Sequence, residues 1–127
     1  MKAIKVTAKN EVSVIELNGD VLSAAIEEIG GFEQVRPKGL KHPYIMIVDD
    51  EFLLKKKPLN VLGSALYGTH IHGHPICGDI LFLCEECGHS GVSLIGLNDF
   101  DIAYLTSIVE NMHEIYQRVK KTKIGGE

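Results

Sequence analysis

No stretch of the chain approaches the ~18 uncharged apolar residues that a membrane span requires. The opening residues, Met1-Lys2-Ala3-Ile4-Lys5-Val6, also lack the apolar run of a secretory signal. Cysteine is scarce and odd in number: three thiols are a poor basis for a secreted disulfide framework and fit a reducing cytoplasm better. Basic charge is short as well. The formal net charge is −4 and the sequence pI about 5.8, whereas gripping a nucleic-acid backbone calls for a basic face that displaces counterions. The composition therefore predicts a soluble cytoplasmic protein with neither membrane nor nucleic acid as its partner.

The chain shows no internal repeat, low-complexity segment or interdomain linker. It also lacks a Gly-rich phosphate loop, a Gly-x-Ser-x-Gly elbow and a His-Glu-x-x-His helix. No catalytic residue is assigned, and the protein is read as non-enzymatic.

What is present suits one domain. The 127 residues are 45% hydrophobic and 24% charged, enough to bury one core without staples. Residues 1–122 form that domain in this reading, and 123–127 a frayed tail. Alternation over Ala3–Ala8 and Val12–Leu17 around Lys9-Asn10 predicts an N-terminal hairpin. Asp20 stands where a helix N-cap belongs. Leu22, Ala25, Ile26 and Ile29 then mark one helical face, closed by Gly30-Gly31. Phe32–Arg36 and Tyr44–Val48 read as strands, the second buried on both faces. The pattern leaves Val61–Tyr67 unassigned, gives a histidine-rich loop from Gly68 to Gly78, and predicts a last strand at Asp79–Leu83. A second loop, Gly88–Gly96, contains the short apolar piece Val92–Ile95. Asn98 and Asp101 have capping-box spacing, and Ile102, Leu105, Ile108, Val109, Met112, Ile115, Tyr116 and Val119 trace the stripe of a long final helix. The expected fold is α+β: one mixed, mostly antiparallel sheet with two helices packed on a face, the longer one C-terminal.

Four landmarks carry a resemblance. They are Ile29-Gly30-Gly31-Phe32-Glu33 after the first helix, Val48-Asp49-Asp50-Glu51 after the apolar strand, Pro58-Leu59-Asn60 with Ala65-Leu66, and Gly78-Asp79-Ile80 with Gly96-Leu97-Asn98-Asp99. In this order they resemble the domain-of-unknown-function family 3846 of phages, plasmids and conjugative elements. Glu33 falls one position early, and the histidines and cysteines between His70 and Cys87 are this chain's own. The resemblance implies a mobile-element setting in a bacterial host cell, and no reaction.

Two groups of residues suggest metal chemistry. Cys84-Glu85-Glu86-Cys87-Gly88-His89 has the spacing of a zinc knuckle, which Cys77, His89 or His74 would complete. No second Cys-x-x-Cys pair accompanies it, and the intervening glutamates disfavour thiolates. A reduced turn with two ordinary cysteines is the simpler reading. His70, His72 and His74 would share one side of an extended chain and suit a transition metal or a phosphate. Gly73 and Pro75 argue instead for an irregular polar loop, and Asp79 is the one nearby carboxylate.

The third group is a ligand surface: Lys55, Lys56, Lys57, Asn60, Ser64 and Tyr67, continuing into His70, His72 and His74. Lysines attract phosphate, an aromatic ring stacks on a base, and an amide reads a base edge. The plainer alternative is a solvated loop. Asp49-Asp50-Glu51 is read as a hydrated turn.

Together these readings predict a mobile-element accessory that sequesters a nucleotide-type immune signal or a host defence protein. The alternatives are a zinc-stabilised interaction module and a metal-dependent hydrolase on the histidine loop. Homo-oligomerisation would let a domain this small build a pocket between subunits.

Overall fold

In the computed structural model, residues 1–41, 43–69 and 73–125 are described, with 119–125 described by backbone alone. Alternation and a tight turn make the first hairpin. β1 (Lys2–Val6) pairs antiparallel with β2 (Val12–Glu16), Ile4 lying opposite Val14. Asn10 takes the left-handed conformation at the corner (φ 67°), which a short polar side chain tolerates. α1 (Val21–Ile29) begins at Asp20, whose carboxylate accepts from the Ser23 amide, and ends at Gly30 with φ 92°. β3 (Glu33–Val35) and β4 (Tyr44–Val48) follow, and β4 is buried along its whole length.

Val61–Tyr67 is a helix, α2. Asn60 supplies its N-cap and Gly68 its left-handed C-cap. β5 (Ile80–Gly88) turns through His89-Ser90 into β6 (Gly91–Ile95), so the expected strand runs five residues further than Leu83. The local sequence does not announce this extension, because β6 supplies the hydrogen bonds that hold it. α3 (Asp99–Gly125) opens with the capping box: the Asp101 amide donates to Asn98 Oδ1 at 2.8 Å, and the Asn98 amide donates back to Asp101 Oδ2 at 3.1 Å.

The sheet order is β2-β1-β5-β4-β3, with β6 also on β5. Every pairing is antiparallel, so the expected mixed character is absent among the described strands. β1 and β6 lie end to end along one side of β5, joined where the Leu97 amide donates to the Lys2 carbonyl.

Three helices rather than two are described, and they cover both faces. Ile4, Val6, Met46, Val48, Ile80 and Phe82 face α2 and α3 through Leu62, Leu66, Leu105 and Val109. Ala3, Ile45, Ile47, Leu81 and Leu83 face α1 through Ala24, Ala25 and Ile29. The fold thus remains α+β but has three layers. α1 also lies rotated from the expected face: Ala24 and Ala25 are buried, while Leu22 and Ile26 are 48% and 49% exposed. Small side chains let the helix sit close to a sheet face already filled by isoleucine and leucine. No helix among the described residues is long and apolar enough to cross a membrane.

Candidate functional site

The lysine run and the acidic turn are one structure. Asp49 is fully buried at the end of β4, and its carboxylate accepts from Lys57 at 2.6 Å, Lys55 at 2.9 Å and the Glu51 amide at 2.9 Å. Burial by itself pushes the Asp49 carboxyl up. The hydrogen bonds from Lys57, the Glu51 amide and Lys55 together outweigh it and bring the group down to about 2.

The same two ammonium groups, joined by Lys5, close α1. Lys5, Lys57 and Lys55 donate in turn to the carbonyls of Glu28, Ile29 and Gly30, at 3.3, 2.7 and 2.8 Å. Three cations on three successive carbonyls complement the negative end of the helix dipole. Gly30 and Gly31 are small for a reason: a Cβ on Gly31 would run into the Asp49 and Asp50 carboxylates. Gly78 lies equally close to the Lys57 chain, and the cleft between these parts, about 420 Å³, is bordered by Glu28, Lys57, Pro58 and Asp79. Lys5 reaches Glu28 Oε2 at 3.2 Å and Asp79 Oδ2 at 3.9 Å. The charges here hold α1, β1 and the acidic turn together. Asp49 is not a hydrated turn residue, and Lys55 and Lys57 are not a mobile phosphate-gripping pair.

Asn60 and Ser64, read as ligand contacts, are buried structural groups. Asn60 Nδ2 donates to the carbonyls of Val6 (3.1 Å) and Gly78 (2.9 Å), and its Oδ1 accepts from the Gly63 amide (2.8 Å). Ser64 Oγ donates to the Ile76 carbonyl and accepts from the Ile76 amide. An amide that caps α2 and ties β1 to the loop before β5 has no donor left for a base.

Tyr67 and His74 fare differently. They line one cleft of about 280 Å³ with Phe52, Glu33, Val48 and Ile76. The Thr69 hydroxyl donates to the His74 carbonyl at 2.6 Å and fixes the loop beside it. Phe52 and Glu33 were missed in the sequence. Glu33 carried a signal, as a carboxylate inside the strand pattern Phe32–Arg36, whereas Phe52 reaches the cleft from the turn whose lysines bond back to Asp49 and the end of α1. Lys56 is exposed at the tip of that turn, with φ 54°. His70 and His72 lie outside the described residues.

The cysteines do not converge. Cys84 and Cys87 stand three positions apart on β5, so alternation sends their side chains to opposite faces of the sheet. The zinc-knuckle spacing falls on a strand and its hairpin turn, where His89 is exposed, while Cys77 is buried at an isolated bridge to Leu59. Among the described residues no three histidine, cysteine or carboxylate groups come together to hold a metal. Burial raises the Cys77 thiol. Burial, helped by the Asp101 carboxylate 3.6 Å away, pushes Cys84 up to about 12. Asp101 also accepts from the Tyr44 hydroxyl at 2.8 Å, and both burial and that carboxylate raise the Tyr44 phenol.

Residues 1–112 match the family model DUF3846, described as a domain of unknown function. No curated protein and no solved structure matches the chain. The matched region ends at Met112, within α3, and includes the Gly30-Gly31, Asp49-Asp50, Asn60 and Gly78-Asp79 landmarks that meet around the end of α1.

Proposed function

The chain belongs to the DUF3846 family, and for this member we propose a non-enzymatic phage or mobile-element accessory protein that sequesters a small nucleotide-type ligand. The base would lie in the cleft of Phe52, Tyr67 and His74. The observation that carries the reading is that Tyr67 and His74, seven positions apart across the cap of α2, line the same cleft as a second aromatic ring, Phe52. Its volume of about 280 Å³ is just below the ~300–1,000 Å³ typical of small-molecule sites. Aromatic faces stack on any base, the Glu33 carboxylate suits an exocyclic amine as acceptor, and Lys56 at the tip of the same turn suits a phosphate.

Stoichiometric binding fits the chemistry of the other reactive groups. The Cys77 and Cys84 thiols are held protonated, and Asp49 is neutralised by two ammonium groups, so each is committed to the fold. The test is calorimetry of the purified chain against cyclic dinucleotides and ADP-ribose-type nucleotides. One member should bind saturably, and Phe52→Ala should weaken it about tenfold, the loss of one stacking contact of ~1–3 kcal/mol. A flat response to every nucleotide overturns the reading.

A further inference from the structure

β2 ends the sheet, and its hydrogen bonding shows which groups it leaves outward. Met1 and Leu17 exchange main-chain bonds, and the Thr7 amide donates to Glu11. In the register that sets Ile4 opposite Val14, bonded pairs alternate with non-bonded ones. Ala3–Ile15 and Lys5–Ser13 are therefore the bonded pairs between those ends. The N–H and C=O groups of Val12, Val14 and Glu16 point away from β1, along an edge that no described strand pairs.

Beside that edge runs a groove of about 600 Å³ whose other wall is α3. Val14, 49% exposed, meets Ile102, Ala103 and Thr106 across it, and Glu110 and Glu114 stand further along the wall. Arg118 holds Glu114 at 2.6 Å, while Glu110 has no ion pair among the described residues. A strand edge that no described strand pairs, next to a helix wall apolar at Ile102 and Ala103 and acidic at Glu110 and Glu114, offers an added strand both its hydrogen bonds and contacts for alternate side chains.

We propose that the β2 edge and the α3 wall form a docking groove for an extended peptide segment of a partner protein, which adds as a further strand and directs a lysine or arginine to Glu110. Backbone pairing provides the register, and the acidic wall selects a basic segment. This site is on a different part of the molecule from the Phe52–Tyr67 cleft, and neither proposal depends on the other.

The experiment selects a random heptapeptide library on the full chain and measures the enriched peptides by fluorescence polarisation. Enriched sequences should alternate apolar residues and carry lysine or arginine. Val14→Pro removes an outward-facing N–H together with the valine side chain that lines the groove, a change an edge strand tolerates, and should weaken binding about tenfold. Should that variant fail to fold by circular dichroism, Glu110→Lys decides: it should weaken the basic peptides about tenfold. No enrichment over a blank surface, acidic consensus sequences, or unchanged affinity in the folded variants overturns the proposal. A dimer in native mass spectrometry that Val14→Pro splits would assign the edge to a second copy and overturn it equally.

Discussion

Lys57 Nζ lies 2.6 Å from Asp49 Oδ2 and, with its other bond, 2.7 Å from the Ile29 carbonyl oxygen. One ammonium thereby joins the end of β4 to the end of α1. Removing one partner of a buried ion pair leaves the other charge uncompensated, typically at about 3–5 kcal/mol. Asp49→Ala should fall near the lower end, because Lys57 keeps a carbonyl and some access to water. Urea unfolding of the variant measures it; a loss below about 1 kcal/mol would reduce this contact to a surface pair.

The same carboxylate sets an acid limit. Its folded value near 2 lies below its ordinary 3.8, so the unfolded chain binds the proton first as pH falls. The stability it provides is complete above about pH 4 and is lost as pH falls through about 2. Thermal melts between pH 5 and 2 should show this loss in the parent, and Asp49→Asn should flatten it.

Glycine at position 31 is required by contact. A Cβ there meets the Asp49 carboxylate and Asp50 Oδ1, and Asp49 is pinned by two lysines. Gly31→Ala should destabilise by about 2 kcal/mol, within the range for forced overpacking. Gly88→Ala, where the nearest atom is 3.9 Å away, should stay within about 0.5 kcal/mol of the parent. Equal effects of the two substitutions in paired melts would refute the contact argument.

Asn60→Asp exchanges an amide donor for an acceptor opposite the carbonyls of Val6 and Gly78. Two facing carbonyls then lose their donor and repel a charge, which should cost about 3 kcal/mol or more. If Asn60 were a ligand contact instead, the variant would melt like the parent, and only binding would change.

The thiols should separate by access. Native protein treated with iodoacetamide at pH 8 should gain one adduct, at exposed Cys87, and three after denaturation. Cys84, buried and pushed up to about 12, should react only on unfolding. Equal rates at Cys84 and Cys87 in a peptide-mapped time course would contradict the position of β5.

Much of the local structure was legible in the residues themselves. Asp20, Asn98 with Asp101, Gly30, the Asn10 corner and the Ile45–Val48 run each act on neighbours within about one turn or one strand, where caps, alternation and left-handed turns are decided. Family membership was legible for a related reason, since its landmarks are glycines, caps and acidic turns in a fixed order. The site was less so. Lys55, Asn60 and Ser64 have the residue types of a ligand surface, but polar type does not reveal whether a side chain meets solvent or a buried carbonyl. That depends on Gly30, Val6 and Ile76, whose carbonyls they meet from far along the chain. Tertiary structure alone decided that α1 presents its alanines inward, that helices cover both sheet faces, that Cys84 and Cys87 diverge, and that Phe52 joins Tyr67. Each depends on strand register and layer packing between distant segments, where burial and the pairing of buried charges outweigh local preference.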